Sequence, residues 1–371
     1  MHVLTALLVL STARLAAGVT WFGAAFAAAL FAVLPTHAET VSWIGGRADS
    51  IPAVFYLGAF LAYVAWQRVG GWFLFGLSLA SFFLALYSKQ SALTMIATLV
   101  AYDTLVRRGL NRSNLRMLCT YLPFALLTLG HLAQRRLLFG RAVRESAITA
   151  DVLLGLGTHQ FRQLQILLFG GQWLPNPPVA VGIAVLLAVL TIILLEMWRT
   201  FRGRPTSLTS RLLFFGPLWW AIQTAPLLVT YTAGRHLYLA SVGPVILLAL
   251  CLDGLFRASS TSRRLIASGF ASLAVLVAVA RLLPAVEAWN QSAQVSEIIQ
   301  RDIEREATTA PPGSLLLVAA PVASTNNAAF TWVWSWVAPF AYRPPFTSTD
   351  LTQRVRFVMR SGSRAVSGTG F

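Results

Sequence analysis

The sequence predicts an all-α polytopic membrane protein of about ten transmembrane helices, with a small extracytoplasmic α/β appendage at its C-terminal end. Three observations lead there. First, 56% of the 371 residues are hydrophobic and only 11% are charged, whereas soluble domains carry roughly 25% charged residues. So few charges cannot cover an ordinary water-facing surface, and the mean hydropathy of +0.66 agrees. Second, several apolar runs approach the roughly 20 residues needed to cross a bilayer core. Third, the composition changes after residue 284, which divides the chain into a membrane domain, 1–284, and a smaller domain, 285–371.

Apolar runs separated by charged or Pro/Gly clusters give the order of the helices. They fall at about 3–18, 20–36, 51–67, 72–88, 91–106 and 115–133, and then at about 179–198, 211–230, 236–255 and 265–284. A half-length apolar segment, FRQLQILLFGGQWLP (161–175), is too short to cross and reads as a dip into the membrane. Beyond 284, AWNQSAQVSEIIQRDIEREA (288–307) has a charged, amphipathic helical period that Pro311, Pro312 and Gly313 end. SLLLVAAP (314–321) reads as a buried strand, and FTWVWSWVAPF (330–340) is aromatic.

Orientation follows from the basic residues of short loops. QRVGG (67–71), VRRGLNRSNLR (106–116), WRTFRGRPTSLTSR (198–211) and FRASSTSRR (256–264) are short and basic, so they are placed in the cytoplasm. The opposite side then receives SKQS (88–91), the 134–162 loop, YTAGRH (231–236) and the C-terminal domain. The 134–162 loop weakens the rule, because it carries Arg135, Arg136, Arg141, Arg144 and Arg162. The net charge of +16 rests almost wholly on Arg. Scattered among membrane loops, these residues suit anionic lipid headgroups rather than nucleic acid. Cys119 and Cys251 have neither zinc-site spacing nor a disulfide framework, and no residue pattern points to a metal or other cofactor.

On the outer side the polar groups gather at helix ends: His37, Glu39, Trp43, Arg47, Asp49, Lys89, Gln90, Arg135, Arg136, Arg235, His236 and Tyr238. Ionisable groups at membrane depth are costly unless paired or facing a cavity, so their shared side predicts a polar cleft. Arg and Lys suit phosphate, a carboxylate near a His suits proton transfer, and Trp and Tyr suit a sugar face or a lipid interface. Each also has a structural alternative. Trp43 and Tyr238 fit an interfacial belt, Arg47 with Asp49 a helix-capping salt bridge, Glu39 a solvated loop, His236 a packed histidine, and Lys89 snorkelling to headgroups. Asp103 and Glu196, at cytoplasmic helix ends, are expected to be solvated.

LPTHAETVSWIGGRAD (34–49) resembles the HPxHxExVxWxxxRxD loop of membrane glycosyltransferases with the GT-C fold, and within them the transmembrane-and-tetratricopeptide O-mannosyltransferases and their bacterial relatives. The matching residues are His37, Glu39, Val41, Trp43, Arg47 and Asp49, with Thr36 in place of the family's proline. LALYSKQSALTMIATLVAYD (84–103) resembles the family's SKE…YD helix pair through Ser88, Lys89 and Asp103, with Gln90 replacing the acid. HLAQRRLLFG (131–140) resembles its RxxxxG loop, and GRHLYLASVG (234–243) its RYLYLPSxG motif, with His236 and Ala240 as departures. The four stretches come in family order and cover about residues 1–255.

The resemblance implies inverting transfer of a sugar, such as mannose, from a polyprenyl-phosphate donor to a protein or glycan acceptor outside the cytoplasm, in a bacterial inner or plasma membrane. It implies that Arg47, Lys89, Arg235 and Arg135 hold the lipid phosphate and that Trp43, His236 and Tyr238 line the substrate pocket. Glu39, Asp49 and His37 would serve the acceptor side as catalytic groups. In the family the catalytic acid lies in a loop between the first two helices, and a tetratricopeptide tail follows. Here the helix at about 3–18 resembles the family's second helix, so the expectation is a chain lacking that first helix, its loop and the tail, and either truncated or inactive unless Glu39 or Asp49 takes over. Two other readings remain: a transporter or lipid flippase, for which internal repeats are absent, and a non-catalytic membrane scaffold.

Overall fold

The computed structural model describes residues 1–106, 114–141, 156–169, 212–229, 233–257, 260–319, 324–325, 329–330 and 342–358. The helix expected near 179–198, Glu196, Arg144, the basic loop 198–211 and nearly all of the aromatic stretch 330–340 lie outside them. Two compact units make up the chain, one ending at Leu283 and the other starting at Pro284.

The first unit is helical. α1 (His2–Ser11) continues through a π turn, Thr12–Ala16, and is followed by α2 (Trp21–Val33), the short α3 (His37–Ser42) and α4 (Arg47–Val69). Then come α5 (Trp72–Ser88), α6 (Met95–Val106), α7 (Asn114–Phe139), α8 (Leu156–Phe169), α9 (Phe215–Thr224) and α10 (Val242–Phe256). α11 (Thr261–Thr309) begins in this unit and continues past the boundary. Among the described residues, two helices are long and apolar enough to cross a membrane, Ile44–Val69 and Thr261–Thr309. His2–Ala16, Trp21–Val33, Trp72–Ser88 and Val242–Phe256 are shorter apolar helices.

Packing explains how these helices hold together. Phe60, Tyr102, Phe215 and Trp219 meet ring to ring at centroid distances of 5.3–5.9 Å, joining α4, α6 and α9. α9 crosses α10 at Gly216 and Gly243, where a Cβ on Gly243 would lie 2.4 Å from the Gly216 carbonyl oxygen. Small residues at such a crossing let two backbones approach closely. Two sets of buried polar side chains also tie the helices together. The Ser78 hydroxyl donates to the Ala59 carbonyl (2.7 Å), fixing α5 on α4. Tyr56 Oη meets Thr98 Oγ1 at 2.6 Å and accepts from the Gln223 amide at 2.6 Å, linking α4, α6 and α9.

Four sequence expectations need correction. Asp103 is 2% exposed rather than solvated. It accepts from Tyr63 Oη (2.5 Å) and Tyr121 Oη (2.6 Å), which ties α4, α6 and α7 together. Helix-end position marked it as water-facing, but two phenol groups replace the water. Second, the helix expected near 265–284 and the amphipathic stretch 288–307 form one helix, α11, which continues through Pro284. Third, the polar stretch after α2 is itself a helix, α3, whose His37, Glu39 and Thr40 are buried. Fourth, the C-terminal strand β1 (Leu316–Ala319) is not fully buried, since Leu317 is 63% exposed.

The second unit pairs β1 in parallel with β4 (Val355–Val358), and β2 (Ser324–Thr325) with β3 (Ala329–Phe330) antiparallel. A small core of Ile303, Ala307, Tyr342, Leu351 and Val355 packs the end of α11 against this region. Ser348 fastens its loop to the helix through its N–H and hydroxyl, both donating to Glu304 Oε1 at 2.8 and 2.9 Å.

Candidate functional site

The site grows from α3 and the turn after it. α3 buries Glu39, a 3-10 turn at Ile44–Gly46 follows, and Asp49 lies in the first turn of α4. Lys89 stands just past the C-terminal end of α5, and Arg235 lies in a 3-10 turn, Gly234–Leu237, that leads into α10. Three stretches far apart in sequence, 39–49, Lys89 and Arg235, thus converge.

Arg235 is the hub. Its Nη1 pairs with Glu39 Oε1, and its backbone N–H donates to Glu39 Oε2 at 3.2 Å. Its Nε lies 3.8 Å from Asp49 Oδ2, and its guanidinium sits 5.0 Å from the centre of the Trp43 ring. Gly234 suits this close approach: a Cβ there would come 3.3 Å from both Glu39 Oε2 and the Thr36 carbonyl oxygen. Asp49 Oδ1 pairs with Lys89 Nζ. Two carboxylates and two cations therefore balance, which is how buried charge becomes tolerable.

Exposure divides this cluster. The Glu39 and Arg235 side chains are 3% and 10% exposed, so their pair is interior. The Lys89 side chain is 29% exposed and that of Asp49 9%, so this pair forms the accessible edge. Glu39 has both oxygens engaged by Arg235 and acts chemically as an anchor for the guanidinium. Asp49 Oδ2 faces the Arg235 guanidinium, which also lies over the half-buried Trp43 ring.

His37 is 1% exposed. Its ring packs against Phe31 and Tyr238 at 4.5 and 4.6 Å. The Ser241 hydroxyl donates to the Tyr238 carbonyl (2.8 Å), so His37 Nε2, 3.1 Å away, carries the proton and donates to Ser241 Oγ. Burial holds this imidazole well below the ordinary histidine range, so it stays neutral. Tyr238 is 1% exposed and sits in the core. Its hydroxyl meets His2 Nδ1 (2.8 Å), and His2 Nε2 donates to the Ala32 carbonyl (2.9 Å). His37 and Tyr238 thus back the site rather than line it. His236 is half-buried, and its Nδ1 accepts from the Ala233 N–H at 3.4 Å.

The remaining expected residues lie apart from the ion-pair cluster. Arg47 is exposed, and Asp49 pairs with Lys89 and Arg235 instead of with Arg47. Arg135, on α7, meets Gln90: with the amide oxygen turned toward it, Gln90 accepts from Nε at 2.6 Å and Nη2 at 2.7 Å. Arg136 reaches the Gly140 carbonyl at the end of the same helix. Sequence reasoning missed His2 and Ser241, for which no local pattern exists. It also missed Asp253, which holds the start of α2 through the Thr20 N–H (3.0 Å) and pairs with Arg257 Nε at 2.6 Å. The spacing of four between Asp253 and Arg257 was a readable signal. Among the described residues no group of three or more His, Cys, Asp or Glu side chains could hold a metal ion.

Comparison with known proteins adds a partial likeness. The chain is 33% identical to protein O-mannosyl-transferase Tmtc2 of Drosophila melanogaster over 132 residues, which is 33% of this chain and 14% of that protein. It resembles protein O-mannosyl-transferases. With TMTC3 of Mus musculus it shares 34% identity over 97 residues, and with TMTC3 of Homo sapiens 30% over 97, in each case 25% of this chain and 10% of the relative. The chain therefore spans only a small part of the length of these mannosyl-transferases. No family model and no solved structure matches it.

Proposed function

We propose that this chain is a glycosyltransferase-like integral membrane protein that moves a sugar, mannose by analogy with its partial relatives, from a polyprenyl-phosphate donor to a protein or glycan hydroxyl on the extracytoplasmic side. In this reading about ten helices cross a bacterial inner or plasma membrane, the fold is of GT-C type, and the 285–371 domain lies outside the cytoplasm. One observation carries the reading: α3, α4, the end of α5 and the turn before α10 bring Glu39, Asp49, Lys89 and Arg235 into one cluster with a partly exposed edge.

The chemistry that this edge supports is a single inverting displacement. The acceptor O–H attacks the anomeric carbon while the bond from that carbon to the phosphate oxygen breaks. The electron pair leaves with the phosphate, and Asp49 takes the hydroxyl proton. Lys89 and Arg235 offset the charge that grows on the departing phosphate, and Trp43 offers an aromatic face to the sugar. Glu39 is a positioning residue that holds Arg235, and His37, being neutral and buried, supports α3 from behind.

The test is transfer of radiolabelled mannose from polyprenyl-phosphate mannose to a Ser/Thr peptide by membranes containing the full chain. Wild type should transfer label, and Asp49→Asn should not, at equal amounts of folded protein. Label transfer that survives Asp49→Asn at the wild-type rate contradicts the assignment of the base. Energy-independent movement of the lipid across the bilayer, without any transfer, would favour a flippase instead.

A further inference from the structure

Lys89 is the only lysine in the chain, and the short segment that it opens is held to α4 at both ends. At one end, Lys89 Nζ pairs with Asp49 Oδ1. At the other, Thr94 Oγ1 lies 3.2 Å from Tyr56 Oη. Between them runs a 3-10 turn, Gln90–Thr94, in which the Ala92 N–H donates to the Lys89 carbonyl at 3.1 Å. From Lys89 to Thr94 the 3-10 rise covers about 10 Å. From Asp49 to Tyr56, two turns along one face of α4, the α-helical rise covers about 10.5 Å. The two rungs therefore match in spacing. An α-helical turn over Lys89 to Thr94 would cover only about 7.5 Å, and the rungs would fall out of step.

Gln223, on α9, closes the second rung. Its Oε1 accepts from Thr94 Oγ1 at 2.9 Å, and its Nε2 donates to Tyr56 Oη at 2.6 Å and to Thr98 Oγ1 at 3.2 Å. Tyr56 and Thr98 are fully buried, and Gln223 is 7% exposed. Every polar atom of these four side chains is engaged, and a fully satisfied buried network is rigid. Apolar side chains of the same size would fill this space without the cost of burying an amide and three hydroxyls. They would not fix the height of Thr94 beside Tyr56.

We propose that Gln223 and Thr94 are positioning residues for Lys89. They set the height of the turn that carries it and so hold its ammonium against Asp49, at the accessible edge of the cluster. The use of this placement in catalysis rests on the proposed role of Lys89 toward a departing phosphate, whereas the placement itself is measured without turnover.

The experiment is the rate of Lys89 acetylation by a sulfonated N-hydroxysuccinimide ester of acetate, on the folded full chain in phosphatidylcholine nanodiscs. The side chain is 29% exposed, so the reagent reaches it, and peptide mass spectrometry separates this sole lysine from the N-terminal amine. Thr94→Val and Gln223→Met should each raise the rate about fivefold, the effect of losing one net hydrogen bond. Thr94→Ser keeps the hydroxyl and should react as wild type does. Ser78→Ala removes a buried hydrogen bond between α5 and α4 outside this network. It should leave Lys89 at the wild-type rate, whatever it does to the melting temperature. A wild-type rate in both Thr94→Val and Gln223→Met, or an equal rise in Ser78→Ala, would overturn the proposal. If Gln223→Met does not fold, Thr94→Val against Thr94→Ser decides alone. If Lys89 responds as expected while wild-type membranes transfer no mannose, the positioning stands and the sugar-transfer reading fails.

Discussion

Two ends of α4 hold buried carboxylates in opposite ways. At its start, Asp49 pairs with cations and shares the cluster of Glu39, Lys89 and Arg235. Fourteen residues later, about 21 Å along the axis, Tyr63 helps to hold Asp103, whose oxygen accepts only from neutral phenols. Both phenols donate to the same oxygen, Oδ2, and neither is a cation that an anionic ligand could capture. Cations that pair with carboxylates can trade one anion for another. The comparison teaches that burial alone does not mark a reactive acid. The partners do, together with an open edge: Lys89 is 29% exposed, whereas Asp103 is 2% exposed.

Several substitutions break or sharpen this contrast. The largest effect is expected from Asp49→Asn, which removes the proposed proton acceptor and should lower mannose transfer by roughly 10²–10⁴-fold. Its thermal midpoint should fall as well, because Asp49 is 9% exposed and its loss leaves Lys89 and Arg235 with Glu39 alone, so transfer is compared per folded molecule. Arg235→Ala is next. It leaves Glu39 buried without its partner, and loss of one member of a buried pair costs about 3–5 kcal/mol, read as a large drop in melting temperature. At the other end of α4, Asp103→Ala leaves two phenols unsatisfied and should cost about 1–3 kcal/mol. The transfer rate per folded molecule should stay at the wild-type value. A selective loss of transfer in Asp103→Ala would erase the distinction between the two ends.

The smallest effect is a pH dependence at His37. Its folded-state pKa is depressed by burial, so below about 6.5 the unfolded chain binds more protons than the folded one. Stability therefore falls as pH drops through that value toward the folded pKa, by at most about 1.4 kcal/mol per unit. Melting temperatures measured from pH 7.5 to 5.5 should show this slope, and His37→Gln should flatten it. A slope unchanged in that variant would assign it to other groups.

The sequence was informative where chemistry is carried by residue type. Glu39, Asp49, Lys89 and Arg235 stood out as ionisable groups beside apolar runs, which is costly without pairing. Which cation meets which acid was not legible, because Arg47 lies only two residues from Asp49 while Arg235 is distant in the chain. Nor was the depth of Tyr238 or His37 legible, since an aromatic beside a charged motif reads equally as pocket wall or as core. Asp103 misled because its position at a helix end hides Tyr63 and Tyr121, which arrive from other helices. The boundary near 284 misled because the change there is one of composition, while the helix runs on from apolar to amphipathic residues. In the second unit the strands among the described residues are short, with two-residue and four-residue pairings, and leave only a weak trace in the sequence.

The most direct measurement is a double-mutant cycle on mannose transfer: wild type, Asp49→Asn, Lys89→Met and the double variant, each normalised to folded protein. Groups that act as one unit are strongly non-additive, so the double variant should be no slower than the slower single. Losses that multiply, or a Lys89→Met variant as fast as wild type, would contradict a shared site built from these two residues.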